Sequence, residues 1–310
     1  WSKARKHGVK PIIGIEAYIT PGTPRGERKR VRWGKGDAAE EGGNDVAGGG
    51  AYTHMTMWAE STEGMHNLFR LSSRSSLEGY FYKPRMDKEI LAEHSKGLIV
   101  STGCPSGAIQ TRLRLGQWDE AVREAGELQD MFGRDNVYLE LMDHGISIER
   151  RVRDDLLRLG RELGIPPLAT NDSHYNNPED ADAHDALICV ASGKRLSDTN
   201  RLKFDGGGYY IKSAAEMREL WAQQDLAAAC DNTLAIAERC EVEFVESTGG
   251  YMARADVPAG ETEESWFRTE VWRGIEARYP GERLTQEVKD RVEMELAVIS
   301  QKGYCGYYLV

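Results

Sequence analysis

Apolar residues fall in two patterns along this chain. Short apolar runs at 11–19 (Pro-Ile-Ile-Gly-Ile-Glu-Ala-Tyr-Ile), 54–59, 97–102, 137–141 and 167–170 have the length of strands. Between the later runs the spacing becomes helical. Trp118, Val122, Ala125, Leu128 and Phe132 share one face, with Gly133 as the stop, and Ile148, Val152, Leu156, Leu159 and Leu163 share another, ending at Gly164. Asn177-Pro178 supplies an N-cap and a proline at the first helical position for a helix reaching about residue 192. Repeated strand–helix units predict an α/β architecture with a mainly parallel sheet or barrel. In such folds, polar residues at the C-terminal ends of strands are the usual places for chemistry.

The pattern changes after about residue 200. Ser213 and Glu216 form a capping box that opens a short helix, and 226–240 forms a second. Beyond a turn-rich stretch at 247–262, two long amphipathic helices are predicted near 263–279 and 285–302. Thr285 caps the second, whose inner face carries Val288, Val292, Leu296 and Ile299. This tail is a structural unit distinct from the α/β part.

Composition narrows the class. With 310 residues, 40% hydrophobic and 29% charged, the chain is long enough for one large domain or one domain and part of another. No stretch approaches the roughly 20 apolar residues of a membrane helix. The net charge of −10 confines any contact with nucleic acid to local patches. Five scattered cysteines, never in a CxxC pair, argue against a disulfide scaffold or zinc ribbon and for a reducing cytoplasm. Residues 21–50, rich in glycine and charge, basic first and then acidic, read as a mobile surface insertion. The chain begins at Trp1 and stops within an apolar run at Val310, so both ends read as cuts through a longer protein.

Glu16, His54, Cys104, Asp172 and His174 each sit in or just after a predicted strand. Parallel neighbouring strands would bring them to one rim. Imidazole, thiolate and carboxylate together suit a borderline divalent cation such as zinc or manganese, which can polarise a phosphate and acidify a bound water. In 172–174, alternation along an extended chain points Asp172 and His174 the same way. Taken one at a time, Glu16 also reads as an acid closing a strand, and Cys104 as a small buried apolar residue.

Four motifs in order, Gly14-Ile-Glu-Ala-Tyr, His54-Met-Thr-Met-Trp-Ala, Ser101-Thr-Gly-Cys-Pro-Ser-Gly and Thr170-Asn-Asp-Ser-His-Tyr, resemble those of the PHP (polymerase and histidinol phosphatase) domain. The version they resemble is that of bacterial polymerase III alpha subunits. Glu140-Leu-Met-Asp-His-Gly, Ala186-Leu-Ile-Cys, Tyr210-Ile-Lys-Ser-Ala-Ala-Glu-Met and Asn232-Thr-Leu-Ala-Ile-Ala-Glu-Arg-Cys extend the likeness. The segment from Glu293 to Val310 looks like the family's approach to its polymerase palm, and the insertion after Glu16 looks like the actinobacterial kind.

The resemblance implies an incomplete distorted (β/α)7 barrel followed by a mainly helical segment. Its divisions would be a PHP domain at 1–212, lacking its N-terminal strands, a helical connection at 213–245 and the beginning of the palm at 246–310. It implies Glu16, His54, Cys104, Asp172 and His174 as metal ligands, with Asp172 and His174 also carrying the catalysis. The metals would be zinc or manganese here and magnesium at the polymerase centre. It implies 3′→5′ exonuclease proofreading within a replicative DNA polymerase. The partners would be the template-primer and its 3′ end, a sliding clamp and other holoenzyme subunits, with no membrane. The family's first His-x-His, an acid and a Thr-Asp-His fall before Trp1, and its polymerase aspartates fall after Val310, so the isolated chain is expected to be nearly inactive. The alternatives are a stand-alone phosphoesterase of the histidinol-phosphatase kind, which has no need of the tail, and a non-catalytic module that docks a proofreading subunit. His144 reads either as a group behind the ligands or as a turn residue. His184 reads as a packed histidine, and the run from Arg28 to Lys35 as a self-neutralising loop.

Overall fold

The computed structural model describes residues 1–34, 46–204, 206–245 and 253–310. They divide into two compact units, 1–244 and 245–310.

The first unit is built on six strands: β1 (Gly14–Ile19), β2 (Thr53–Ala59), β3 (Arg85–Met86), β4 (Leu98–Ser101), β5 (Val137–Leu141) and β6 (Pro167–Ala169). They form one sheet in the order β3-β1-β2-β4-β5-β6. Five strands run the same way. β2 alone is reversed, antiparallel to both β1 and β4. The fold is mixed α/β, as the alternation predicts, with this one reversal in an otherwise parallel sheet.

Side chains alternate between the two faces of a strand, and here the faces differ sharply. Ala17, Ile19, Met55, Met57, Leu98, Val100, Val137, Leu139 and Leu141 enter the main core. Three helices cover them: Thr62–Glu78 through Met65, Leu68 and Leu71, Trp118–Phe132 through Ala121, Ala125 and Phe132, and Ser147–Leu163 through Val152, Leu156 and Leu159. The opposite face is split along the strands. At one end Trp58, Ile99, Tyr138 and Leu168 form an apolar cluster with Ile236 and Cys240. One step further along the same strands, the same face carries Glu16, Thr56, Ser101 and Glu140, with Thr170 just past β6. Gly14 is required beside Trp58, because a Cβ there would lie 2.9 Å from the indole and 2.6 Å from the Met57 carbonyl oxygen.

Residues 21–34, read from composition as part of the insertion, are anchored where described. Arg85, fully buried, donates to the carbonyl oxygens of Gly79, Ala51, Arg25 and Glu27, and Val31 N–H bonds to the Gly50 carbonyl. Arg25 also pairs with Glu78, Asp87 and Glu89. The acidic half of the insertion, at 37–45, lies outside the described residues.

The second unit is a small helical one. Helices Glu263–Arg278 and Gln286–Gln301, capped by Thr262 and Thr285, pack Phe267 against Val292, Leu296 and Cys305. A two-point Arg268–Glu293 ion pair joins them at the surface.

Candidate metal centre

His54 reaches the chemical rim because β2 is reversed. It is the second residue of its strand, and the start of β2 lies level with the end of β1, where Tyr18 is its partner. A parallel β2 would carry His54 to the far edge. Cys104 arrives from the loop after β4. Gly103 makes that approach possible, with φ +78° and space so tight that a Cβ would sit 2.6 Å from the His54 carbonyl oxygen. The loop is then fixed by a bond from the His54 N–H to the Ser106 carbonyl.

Three of the five residues singled out from sequence come together. One donor atom each from Glu16, His54 and Cys104 lies within 4.8 Å of the others. His54 Nδ1 is 2.9 Å from Glu16 Oε1 and 3.3 Å from Cys104 Sγ. Donor atoms around one zinc ion lie roughly 3–4 Å apart, so this nitrogen, oxygen and sulfur set fits a divalent cation. Burial by itself would lower the His54 pKa, but its hydrogen bonds to Cys104 and Glu16 override that and hold it up at about 10. The Glu16 carboxyl is pushed down, chiefly by the hydrogen bond from His54, against a smaller opposing effect of burial.

Asp172 and His174 form a pair of their own. Asp172 Oδ1 lies 3.4 Å from His174 Nε2. The pair stands beside the three-residue cluster rather than within it, and communicates through its field: His174 helps to lower the Glu16 pKa. Asp172 has φ +40°, an unfavourable conformation for a residue with a side chain.

A buried polar network, which the hydrophobic pattern could not reveal, holds that loop. Asn171 donates to the carbonyls of Gly208 and Tyr210 and accepts from Lys212. His144 is buried, stacked at 3.9 Å on Tyr209, with Nε2 donating to the Asn171 carbonyl and Nδ1 2.6 Å from Glu149. His144 is therefore a support behind the Asp172 loop. His184 packs in an aromatic group with His174, Tyr175 and Phe204; its helical neighbour Leu187 is exposed.

Under the cluster lies Glu140, which is buried. Its carboxyl accepts from the hydroxyls of Thr56 on β2, Ser101 on β4 and Thr170 after β6. Burial pushes its pKa up, opposed by these three bonds, and the charge of Asp172 pushes it further.

The sheet and its three-donor rim fall mainly within residues 1–144, which match the PHP domain family, a TIM-like barrel fold. Residues 265–310 match the family described as the bacterial DNA polymerase III alpha NTPase domain. Over its whole length the chain is 54% identical to the DNA polymerase III subunit alpha of Saccharopolyspora erythraea and 50% identical to that of Mycobacterium tuberculosis, covering 26% of each. It is 37% identical to the same subunit of Borreliella burgdorferi, covering 25% of it. Over its whole length the chain is similar to bacterial DNA polymerase III alpha subunits, and it spans about a quarter of the length of these relatives.

Proposed function

We propose that this chain carries most of the PHP portion and the start of the polymerase core of a replicative DNA polymerase, and that in the whole protein its metal centre removes nucleotides from the 3′ end of DNA. The observation that carries this reading is the convergence of Glu16, His54 and Cys104 from three elements onto one point. Glu16, His54 and Cys104 would hold zinc or manganese, with Asp172 and His174 completing the centre. A cation so held supplies a Lewis acid for the phosphodiester and a water acidified toward neutrality. Of the protein groups, Glu16 and Cys104 supply the negative charge that draws the cation, and the Asp172–His174 pair is set to hold or pass a proton at its edge. Glu140 and its three hydroxyls keep the strand ends in register beneath it.

In the whole protein, template-directed synthesis would be carried out at a separate magnesium centre, with DNA, a sliding clamp and other holoenzyme subunits as partners. The five cysteines are free, as suits a reducing cytoplasm. Among the described residues no helix is long and apolar enough to cross a membrane. The test is release of terminal nucleotides from a 3′-mismatched primer by the full-length gene product. Release that needs manganese or zinc and stops with chelator and with His54→Ala supports the reading. Release that His54→Ala leaves unchanged contradicts it.

A further inference from the structure

Lys83 stands one aromatic ring away from the metal cluster. Its ammonium lies 5.2 Å from the centre of the Tyr18 ring, and that ring meets His54 edge-on at 5.3 Å and Tyr52 at 4.9 Å. Lys83 lies in the bend just before β3, whose Arg85 pairs with Tyr18 in parallel register. Its charge contributes to lowering the Glu16 pKa. Lys10, Lys88 and Lys96 are held by carboxylates. Lys83 is exposed and makes no ion pair or hydrogen bond through its ammonium among the described residues.

The backbone that presents Lys83 is costly and firmly held. Tyr82 has φ +63°, and the Phe81 N–H bonds to the Lys83 carbonyl across the turn. For a bulky residue such a conformation is strained and persists only where the surroundings hold it. Arg85 packs beside this turn, with its guanidinium buried on four backbone carbonyls and 4.9 Å from the Phe81 ring. An exposed ammonium over the Tyr18 ring, which itself meets His54, is placed to reach a phosphate bound beside the cluster.

We propose that Lys83 is the phosphate-recognition residue of this centre, binding the non-bridging oxygens of the phosphodiester presented to Glu16, His54 and Cys104, with Tyr18 and Tyr52 as the wall beside the adjoining nucleoside. This rests on the reading that the cluster acts on a DNA phosphodiester. The test compares the full-length gene product with its Lys83→Ala, Lys83→Arg and His54→Ala variants. Three quantities are measured: manganese affinity by titration, the equilibrium affinity of thymidine 5′-monophosphate with manganese present, and KM and kcat for terminal nucleotide release.

Loss of one charge-assisted contact is worth about tenfold or more. Lys83→Ala is therefore expected to weaken the monophosphate and raise KM by about that factor, with manganese affinity unchanged and Lys83→Arg recovering most of the loss. Wild-type release that depends on His54 together with an unaltered Lys83→Ala overturns the Lys83 assignment alone. So does a Lys83→Ala that loses manganese, which would make the residue structural. Release that is indifferent to His54→Ala overturns the underlying reading, and the Lys83 assignment with it.

Discussion

His54 Nδ1 and Cys104 Sγ, 50 residues apart in sequence, lie 3.3 Å from each other at the mouth of the sheet. The same nitrogen faces Glu16, so one imidazole is gripped by two groups that prefer it charged. A cation and a proton compete for this position. Metal binding is expected to release a proton, and apparent affinity should rise with pH toward about 10, where His54 gives up its proton. Titration calorimetry in buffers of different ionisation heat measures that release directly.

The same group couples stability to pH. The folded pKa of His54, about 10, lies above its ordinary 6.5, so the fold holds a proton that the unfolded chain has lost between those values. The stabilisation is complete below about pH 6.5 and is lost as pH rises through about 10. Without added metal, Tm should fall more steeply between these limits in the wild type than in His54→Asn. Equal slopes in thermal melts would remove His54 as the cause.

Cys104→Ser replaces a soft donor by a hard one at the same place. Zinc affinity is expected to fall by more than manganese affinity, because thiolate favours the softer ion. Competition titrations with the two metals read the ratio.

Glu140 joins three strand ends through the hydroxyls of Thr56, Ser101 and Thr170. Glu140→Ala leaves those hydroxyls buried without their acceptor and opens a void. It should cost about 2–4 kcal/mol in urea denaturation. Glu140→Gln keeps an acceptor and should cost less.

Much of this was legible in the residues, and the exceptions have physical causes. The strand Val137–Leu141 and the helices Trp118–Phe132 and Ser147–Leu163 stand out because each presents a clean apolar face. The helix Thr62–Glu78 does not: Met65, Leu68 and Leu71 are its inward anchors, and serine, arginine and glutamate fill most of the rest. The reversal of β2 leaves no local trace either, since a strand's direction is decided by its neighbours. Residue chemistry at strand ends pointed to Glu16, His54 and Cys104, yet it took the register to show that His54 reaches them from the start of its strand. Asn171 and Arg85 escaped because their work is done on backbone carbonyls of distant segments, and Glu149 because its buried partner His144 lies across a loop that the apolar pattern does not mark.

The central claim is that this centre degrades DNA from the 3′ end within a polymerase whose synthesis is carried out elsewhere. Asp172→Asn in the full-length gene product tests it most directly, with digestion of a 3′-mismatched primer and extension of a matched primer followed in parallel. Digestion is expected to be abolished while extension remains measurable. Digestion that survives the substitution would contradict it.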